Sequence, residues 1–250
     1  VVIAGRRAEI VQASAAELGE GCSWVGGDIR ETEGARAIVD TAMERHGRLD
    51  LLLNNAGGQY FVPAEGLTAK GWNAVHRLNI GGTLAMCAAA HELAMGASGG
   101  TIVNVTVSPH HGFPAMAHTG AARAAVEAMT RELAQRWAAD GVAVAAIALG
   151  VMATESLRKY PAELWRRAAE GVPLQRLGEV DEYAWLVTLL ATPLGRALSG
   201  SVITLDGAMD NWRGAWPPPD LVREGEVPTE ERRGARTDER RRDRAGADSG

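Results

Sequence analysis

The stretch Leu51-Leu52-Leu53-Asn54-Asn55-Ala56-Gly57-Gly58 decides the fold. An apolar strand runs directly into a turn of small residues, which lets backbone approach a flat ligand at the carboxyl edge of a sheet. On either side, short β-branched runs alternate with long Ala-rich stretches. The runs are Val1 to Ala4, Cys22 to Val25, Leu49 to Leu53, Thr101 to Val107, Val142 to Ala148 and Ser201 to Leu205. Between them, Arg7 to Leu18, Glu33 to Arg45, Gly71 to Ala94, Thr119 to Ala138 and Asp181 to Leu190 carry apolar residues at helical spacing. This is the pattern of βαβ units, so the expected fold is α/β, a doubly wound parallel sheet of Rossmann type covered by helices on both faces.

Two segments interrupt the alternation, Gly57 to Lys70 and Met152 to Gly178, the second rich in charge and Pro. Both leave carboxyl ends of strands, where open α/β sheets bind ligands, and both are expected to be irregular cofactor and substrate loops. After Trp216-Pro217-Pro218-Pro219 the composition shifts to Arg, Glu, Asp and Gly with little to bury. The expected organisation is one domain over 1–216 followed by a disordered charged tail over 217–250.

A formal net charge of -5 provides no global basic field, which argues against nucleic acid and anionic membrane partners and leaves small molecules. Cys22 and Cys87 have no Cys or His at ligand spacing, so neither a disulfide framework nor a metal site is expected. No apolar run reaches membrane-spanning length, and a reducing cytoplasm fits.

The Asn54-Asn55-Ala56-Gly57 turn resembles the NNAG signature of the short-chain dehydrogenase/reductase family, and further family marks follow in order from Val1 to about Asp206. Leu149-Gly150-Val151-Met152-Ala153-Thr154 resembles its PGxxxT segment, and Leu205-Asp206-Gly207 its closing strand. The resemblance implies that Asp28 and Ile29 contact an adenine, that Asn55, Ala56 and Gly57 contact the adenosine ribose, and that Gly150, Val151, Met152 and Thr154 contact a nicotinamide. Gly5-Arg6-Arg7 stands where a carboxylate would recognise a ribose 2′-hydroxyl. A guanidinium offers paired hydrogen bonds to a 2′-phosphate, so NADP(H) is favoured over NAD(H).

The family's glycine-rich TGxxxGIG loop, whose backbone N–H groups cradle a pyrophosphate, has no counterpart in the sequence. In the doubly wound order the strand preceding that loop would lie between the first visible strand and the one ending at Asn54. The expectation is that the sequence begins inside a longer reading frame.

At the reaction centre the family carries a Ser and a YxxxK pair, the Tyr acting as acid/base and the Lys lowering its pKa. Aligning Thr119-Gly120-Ala121-Ala122-Arg123 with YxxxK puts Thr119 at the tyrosine position and Arg123 at the lysine position, and Thr106 and Ser108 bracket the usual serine. A threonine hydroxyl is far less acidic than a phenol. His118 is therefore the preferred proton-transfer candidate, beside His110 and His111. Arg123 is expected to hold the ribose and nicotinamide region, Asn79 to anchor a water or helix backbone, and Ser108 to hydrogen-bond the reacting oxygen.

Asn54 to Gln59, Lys70-Gly71-Trp72 and His118 to Ala124 resemble the peroxisomal trans-2-enoyl-CoA reductase subgroup, and the related 2,4-dienoyl-CoA reductases also lack the tyrosine. Val107 to Gly112 and Asp206 to Trp212 look instead like bacterial citronellol dehydrogenases. The resemblance thus implies an NADP(H)-dependent oxidoreductase acting on a hydrophobic enoyl- or dienoyl-CoA thioester or on a terpenoid alcohol such as citronellol. The rival expectation is a catalytically inactive nucleotide-binding sensor or scaffold. A homotetramer or homodimer is expected from the long helices before Gly96 and after Thr119, which resemble the family's four-helix contact.

Overall fold

Short runs rich in Val, Ile, Leu and Ala, most of them closed by Gly, Asn or Asp, form the parallel strands seen in the computed structural model, which describes residues 1–108, 115–155 and 162–211. The charged tail over 217–250, and His110 and His111, lie outside the described residues. Strand β1 (Val2–Gly5) pairs with β2 (Ser23–Gly26), Val2 opposite Ser23 and Gly5 opposite Gly26. Strands β3 (Leu51–Asn54), β4 (Gly100–Val107), β5 (Val142–Leu149) and β6 (Val202–Leu205) pair in the order β3-β4-β5-β6, all parallel. The α/β, Rossmann-like expectation holds. The two sheets share no strand pairing.

Helices α1 (Ala8–Leu18) and α2 (Thr32–His46) follow β1 and β2, and their ends agree with the periodicity to within a residue or so. The stretch expected as one helix from Gly71 to Ala94 is different. It starts earlier, because Thr68 Oγ1 accepts from Gly71 N at 3.1 Å and caps the first turn. It then runs as α3 (Ala69–His76), a wide π turn over Arg77–Gly82, α4 (Thr83–Ala90), a second π turn over His91–Met95, and α5 (Gly96–Ser98). A π turn inserts an extra residue into the ladder, which apolar spacing cannot register.

Helices α6 (Ala117–Arg136), α7 (Ala162–Glu170) and α8 (Val180–Leu190) complete the set. Helix α7 corrects the expectation that Met152 to Gly178 is irregular throughout. Its exposed face carries ion pairs at helical spacing: Arg166 pairs with Glu163 and Glu170, and Arg167 with Glu163, at i,i+3 and i,i+4.

Strands β4 and β5 are buried along almost their whole length, as a sheet covered on both faces requires. One face packs Ile102 and Val144 against Ile38 and Val39 of α2, Cys87 of α4 and Trp137. The other packs Val103, Ala145 and Ile147 against Val187 and Leu190 of α8. A polar ladder crosses the first of these cores. Asn54 Nδ2 donates to Asn104 Oδ1 at 2.9 Å, Asn104 Nδ2 to Thr130 Oγ1 at 2.9 Å, and Thr130 Oγ1 to Val126 O at 2.8 Å. Each member is buried and paired, so the ladder fixes β3, β4 and α6 relative to one another. Among the described residues no helix is long and apolar enough to cross a membrane.

Candidate functional site

The turn after β3 leaves Asn55, Ala56 and Gly57 exposed at the carboxyl edge of the sheet. It is clamped from behind by Asn79, which is fully buried. Asn79 Oδ1 accepts from Gly58 N and its Nδ2 donates to Gly58 O, both at 2.9 Å, so one amide satisfies both backbone groups of Gly58. The π turn aims Asn79 inward, and Thr83 Oγ1 donates to the Asn79 carbonyl at 2.8 Å within that turn. Arg123 of α6 lies under the same place. Its Nη1 donates to Val105 O at 2.7 Å, and a Cβ added at Gly57 would run into Nη2 and stand 3.1 Å from Asn79 Oδ1. Glycine at 57 is thus required by close approach. Burial lowers the Arg123 pKa, and its Nε has no hydrogen-bond partner among the described residues.

One turn earlier on α6, His118 and Thr119 are both 0% exposed. Neither ring nitrogen of His118, nor Thr119 Oγ1, has a hydrogen-bond partner among the described residues. The Tyr60 ring stands over His118, centroids 4.5 Å apart and tilted by 44°. Tyr60 is carried there by a loop whose Val62 N donates to Ala115 O at 2.8 Å. Ala115 has φ 58°, a left-handed conformation costing a non-glycine residue roughly 1–2 kcal/mol, and it forms the joint just before α6. Burial, and the neighbouring His76, hold the His118 imidazole below its ordinary pKa, which favours the neutral ring.

The two hydroxyls at the end of β4 are engaged elsewhere. Thr106 Oγ1 donates to the buried carboxylate of Glu127 at 3.2 Å, facing α6 rather than the open edge. Ser108 donates its proton to Asp206 Oδ2, so that proton is not offered to a reacting oxygen. Asp206 also accepts from Ala208 N at 2.9 Å and Asp210 N at 2.8 Å, and thereby ties the ends of β4 and β6 together. Gly150 packs against it, since a Cβ there would stand 2.7 Å from Asp206 Cβ. Met152 pairs in parallel with Gly178, Gly178 N donating to Val151 O at 3.0 Å and Ala153 N to Gly178 O at 2.8 Å, and Thr154 N donates to Met152 O at 2.9 Å.

Asp28 and Ile29 sit past the end of β2. The Arg30 guanidinium grips Asp28 and lowers its carboxyl to about 2, with a smaller contribution from Arg6. Arg6 and Arg7 are exposed just past β1. Ile29 packs on Gly82, where a Cβ would lie 2.8 Å from Ile29 Cγ1, so the β2 edge abuts the π turn that carries Asn79. The structure therefore brings Gly57, Asn79 and Arg123 together, with His118 and Thr119 one turn along α6, and directs Thr106 and Ser108 to internal partners.

Several participants escaped the sequence. Tyr60 lay in a segment recognised as a loop, and Asp206 in a motif read only as a strand end. Tyr183 of α8, whose hydroxyl donates to Asn55 Oδ1 at 3.3 Å, gave no signal at all. Exposed backbone at Asn55 to Gly57, the close-packed Gly57 and Gly150, and exposed arginines past β1 fit an extended nucleotide laid along the carboxyl edge.

Residues 1–210 match the family model described as Enoyl-(Acyl carrier protein) reductase. The chain is 34% identical over 223 residues to the peroxisomal 2,4-dienoyl-CoA reductase [(3E)-enoyl-CoA-producing] of Pongo abelii, covering 86% of this chain and 74% of that one. A citronellol catabolism dehydrogenase of Pseudomonas aeruginosa superposes with a TM-score of 0.74 at 35% identity, covering 84% of each chain. A gluconate 5-dehydrogenase of Burkholderia cenocepacia, solved in complex with NADP and tartrate, superposes with a TM-score of 0.78 at 25% identity, covering 85% of this chain and 86% of that one.

Proposed function

The chain belongs to the short-chain dehydrogenase/reductase family of NAD(P)-dependent oxidoreductases, and from that premise we propose that it reduces a conjugated enoyl- or dienoyl-CoA thioester with NADPH. The observation that carries this is the substitution at the tyrosine position: Thr119, buried with its hydroxyl unpartnered among the described residues, beside a buried His118 whose pKa is lowered by burial. Reduction of a carbonyl requires a proton donor strong enough to meet a developing alkoxide, and a threonine is not one. Reduction of a carbon–carbon double bond conjugated to a thioester leaves an enolate, which needs hydrogen-bond donors at its oxygen and a proton at carbon. The relatives named as 2,4-dienoyl-CoA reductases support the same choice.

When bound, the nicotinamide supplies the hydride. Asn55, Ala56 and Gly57 would hold the adenosine ribose side, Asp28 and Ile29 the adenine, and Gly150, Val151, Met152 and Thr154 the nicotinamide. Arg6 and Arg7, exposed and with Arg6 near Asp28, would meet a ribose 2′-phosphate, and the NADP complex of the gluconate dehydrogenase supports that preference. Arg123 would place positive charge near the developing enolate from beneath Gly57, and Asn79 keeps the turn in register. Thr106 and Ser108 set the end of β4, and His118 exchanges the proton. Residues 1–216 would form this domain, and self-association would use the α4 and α6 faces.

The experiment is a comparison of NADPH and NADH oxidation with 2,4-hexadienoyl-CoA and crotonyl-CoA. Turnover with NADPH and either thioester is expected, and no turnover with any thioester refutes the proposal. The likeness to the citronellol dehydrogenase favours a second reading, oxidation of an acyclic terpenoid alcohol, with neutral His118 taking the hydroxyl proton. Reduction of NADP+ by citronellol, with no thioester activity, would select it.

A further inference from the structure

Tyr60 is held in place at a cost to the chain. Gly71 is the third residue of α3, a position where glycine weakens a helix. A Cβ added there would run into the Tyr60 hydroxyl and stand 3.1 Å from Cζ of its ring, so the glycine makes room for the tyrosine. The second cost falls at Ala115, whose left-handed φ of 58° presents the carbonyl that Val62 N binds at 2.8 Å, two residues beyond Tyr60. A third hold is the His118 ring, whose centroid lies 4.5 Å from that of Tyr60. Despite these holds, Tyr60 is left 40% exposed. A ring fixed at its hydroxyl, its backbone and one side, yet open on the rest, is preorganised to receive something else.

The open ring does not stand alone. Phe61 follows it and is 61% exposed, and Trp72, adjoining Gly71, is 36% exposed, its ring edge-on to His76 with centroids 4.1 Å apart. From Tyr60 to Ala64 the loop carries no charge, and its first carboxylate is Glu65. Exposed aromatic rings gathered beside a reaction centre mark a surface for an apolar ligand.

We infer that Tyr60 is a specificity-determining residue that, with Trp72, forms a floor for the hydrocarbon tail of the substrate. The inference rests on the proposed action on an acyl thioester. The tail is the occupant these contacts favour, because Tyr60 touches His118 and a chain lying on its ring starts at the reacting carbons rather than elsewhere on the surface. A hydrocarbon asks for no hydrogen-bond partner, and the phenol hydroxyl is turned to Gly71 rather than to the open side. Tyr60 takes no part in the bond changes. It sets which thioesters are held long enough to react, through apolar contact that grows with each methylene laid on the rings.

The test uses the full chain with NADP+ and measures the binding of butanoyl-, hexanoyl- and octanoyl-CoA, saturated thioesters of the product class, by calorimetry. Full burial of a methylene tightens binding roughly fourfold, and one lying on a half-open floor is expected to give about twofold, so octanoyl-CoA should bind about 16-fold more tightly than butanoyl-CoA. In Tyr60→Ala that ratio should fall below about fourfold, while the affinity for butanoyl-CoA changes by less than about threefold. Tyr60→Phe should keep the ratio. Gly71→Ala should lose it, because the new Cβ displaces the tyrosine, and adding Tyr60→Phe to Gly71→Ala should recover it, because the obstructing hydroxyl is gone. That pair decides the matter if Tyr60→Ala does not fold. An unchanged ratio in Tyr60→Ala, or a loss in Gly71→Ala that Tyr60→Phe does not recover, overturns the inference, as do equal wild-type affinities for all three thioesters. A change of assembly state on sedimentation of Tyr60→Ala, with the ratio intact, assigns the rings to a protein contact and overturns it too. A wild-type chain that binds none of the thioesters refutes the thioester reading instead. The same comparison with 1-butanol and 1-octanol then decides the floor by itself: a preference for octanol that Tyr60→Ala abolishes supports it, and equal binding overturns it.

Discussion

Replacing Asn79 by Ala removes the clamp on the turn after β3, and its cost can be worked from two contacts. The amide gives Gly58 one acceptor and one donor at 2.9 Å, and each such bond contributes a net of about 0.5–1.5 kcal/mol. Gly58 is half-buried, so water recovers part of the loss at its N–H and C=O while the cavity left by a buried side chain adds to it. The expected destabilisation is about 2–3 kcal/mol. For a domain of this size, it appears as a Tm fall of about 5–10 °C. Asn79→Leu keeps the volume and loses both bonds, so it should cost about as much. Asn79→Asp keeps the acceptor for Gly58 N–H but sets a carboxylate oxygen against Gly58 O, with Arg123 close enough to offset part of that repulsion. Its loss should be intermediate. The measurement is thermal and urea unfolding followed by circular dichroism. Losses under about 0.5 kcal/mol in both Ala and Leu variants would refute the clamp.

The remaining predictions concern chemistry that the fold hides or exposes. Burial raises the Cys87 thiol to about 12, so a maleimide should label Cys22 alone in the native protein and Cys87 only after denaturation; rapid native labelling at Cys87 would contradict its burial. Gly57→Ala should lower stability and nucleotide affinity together, since its Cβ must displace the Arg123 guanidinium; calorimetry showing unchanged affinity would count against the close approach. In acid, Asp28 and Glu182, both lowered to about 2 by arginine partners, contribute stability that is full above their ordinary range near 4 and disappears as pH falls toward 2. His118 acts earlier. Its folded pKa lies below its ordinary 6.5, so the unfolded chain takes up a proton first and stability declines as pH drops below about 6.5. His118→Gln should remove that part of the decline between pH 6.5 and 5 in a Tm series, and an unaltered slope would show that the ring is not held neutral.

Much of the sheet was legible because a buried parallel strand has to be almost continuously apolar, as in Thr101 to Val107 and Val142 to Ala148. The turn Asn54 to Gly58 was legible for the same local reason, since few residues tolerate so close a backbone approach. What stayed hidden depends on contacts between distant parts of the chain. Asn79 and Gly58 are 21 residues apart, Asn54 and Asn104 are 50, and Ser108 and Asp206 are 98, and no local spacing announces such pairings. Helix α7 was missed because its short charged sequence, flanked by Pro161 and Pro173, read as one irregular segment. His118 was singled out for its neighbour at the tyrosine position, but the Tyr60 ring that covers it comes from a loop 58 residues earlier.

The π turn over Arg77–Gly82 also governs how this helix can change in length. One residue of an α-helix corresponds to about 100° of rotation, so the extra residue acts as a phase shifter between α3 and α4. Deleting a single residue there would restore regular winding and swing Asn79 about a quarter of the way round the axis, away from Gly58, or else rotate the apolar face of α4 away from β4. This helix can be edited only if the turn after β3 is given a new support at the same time.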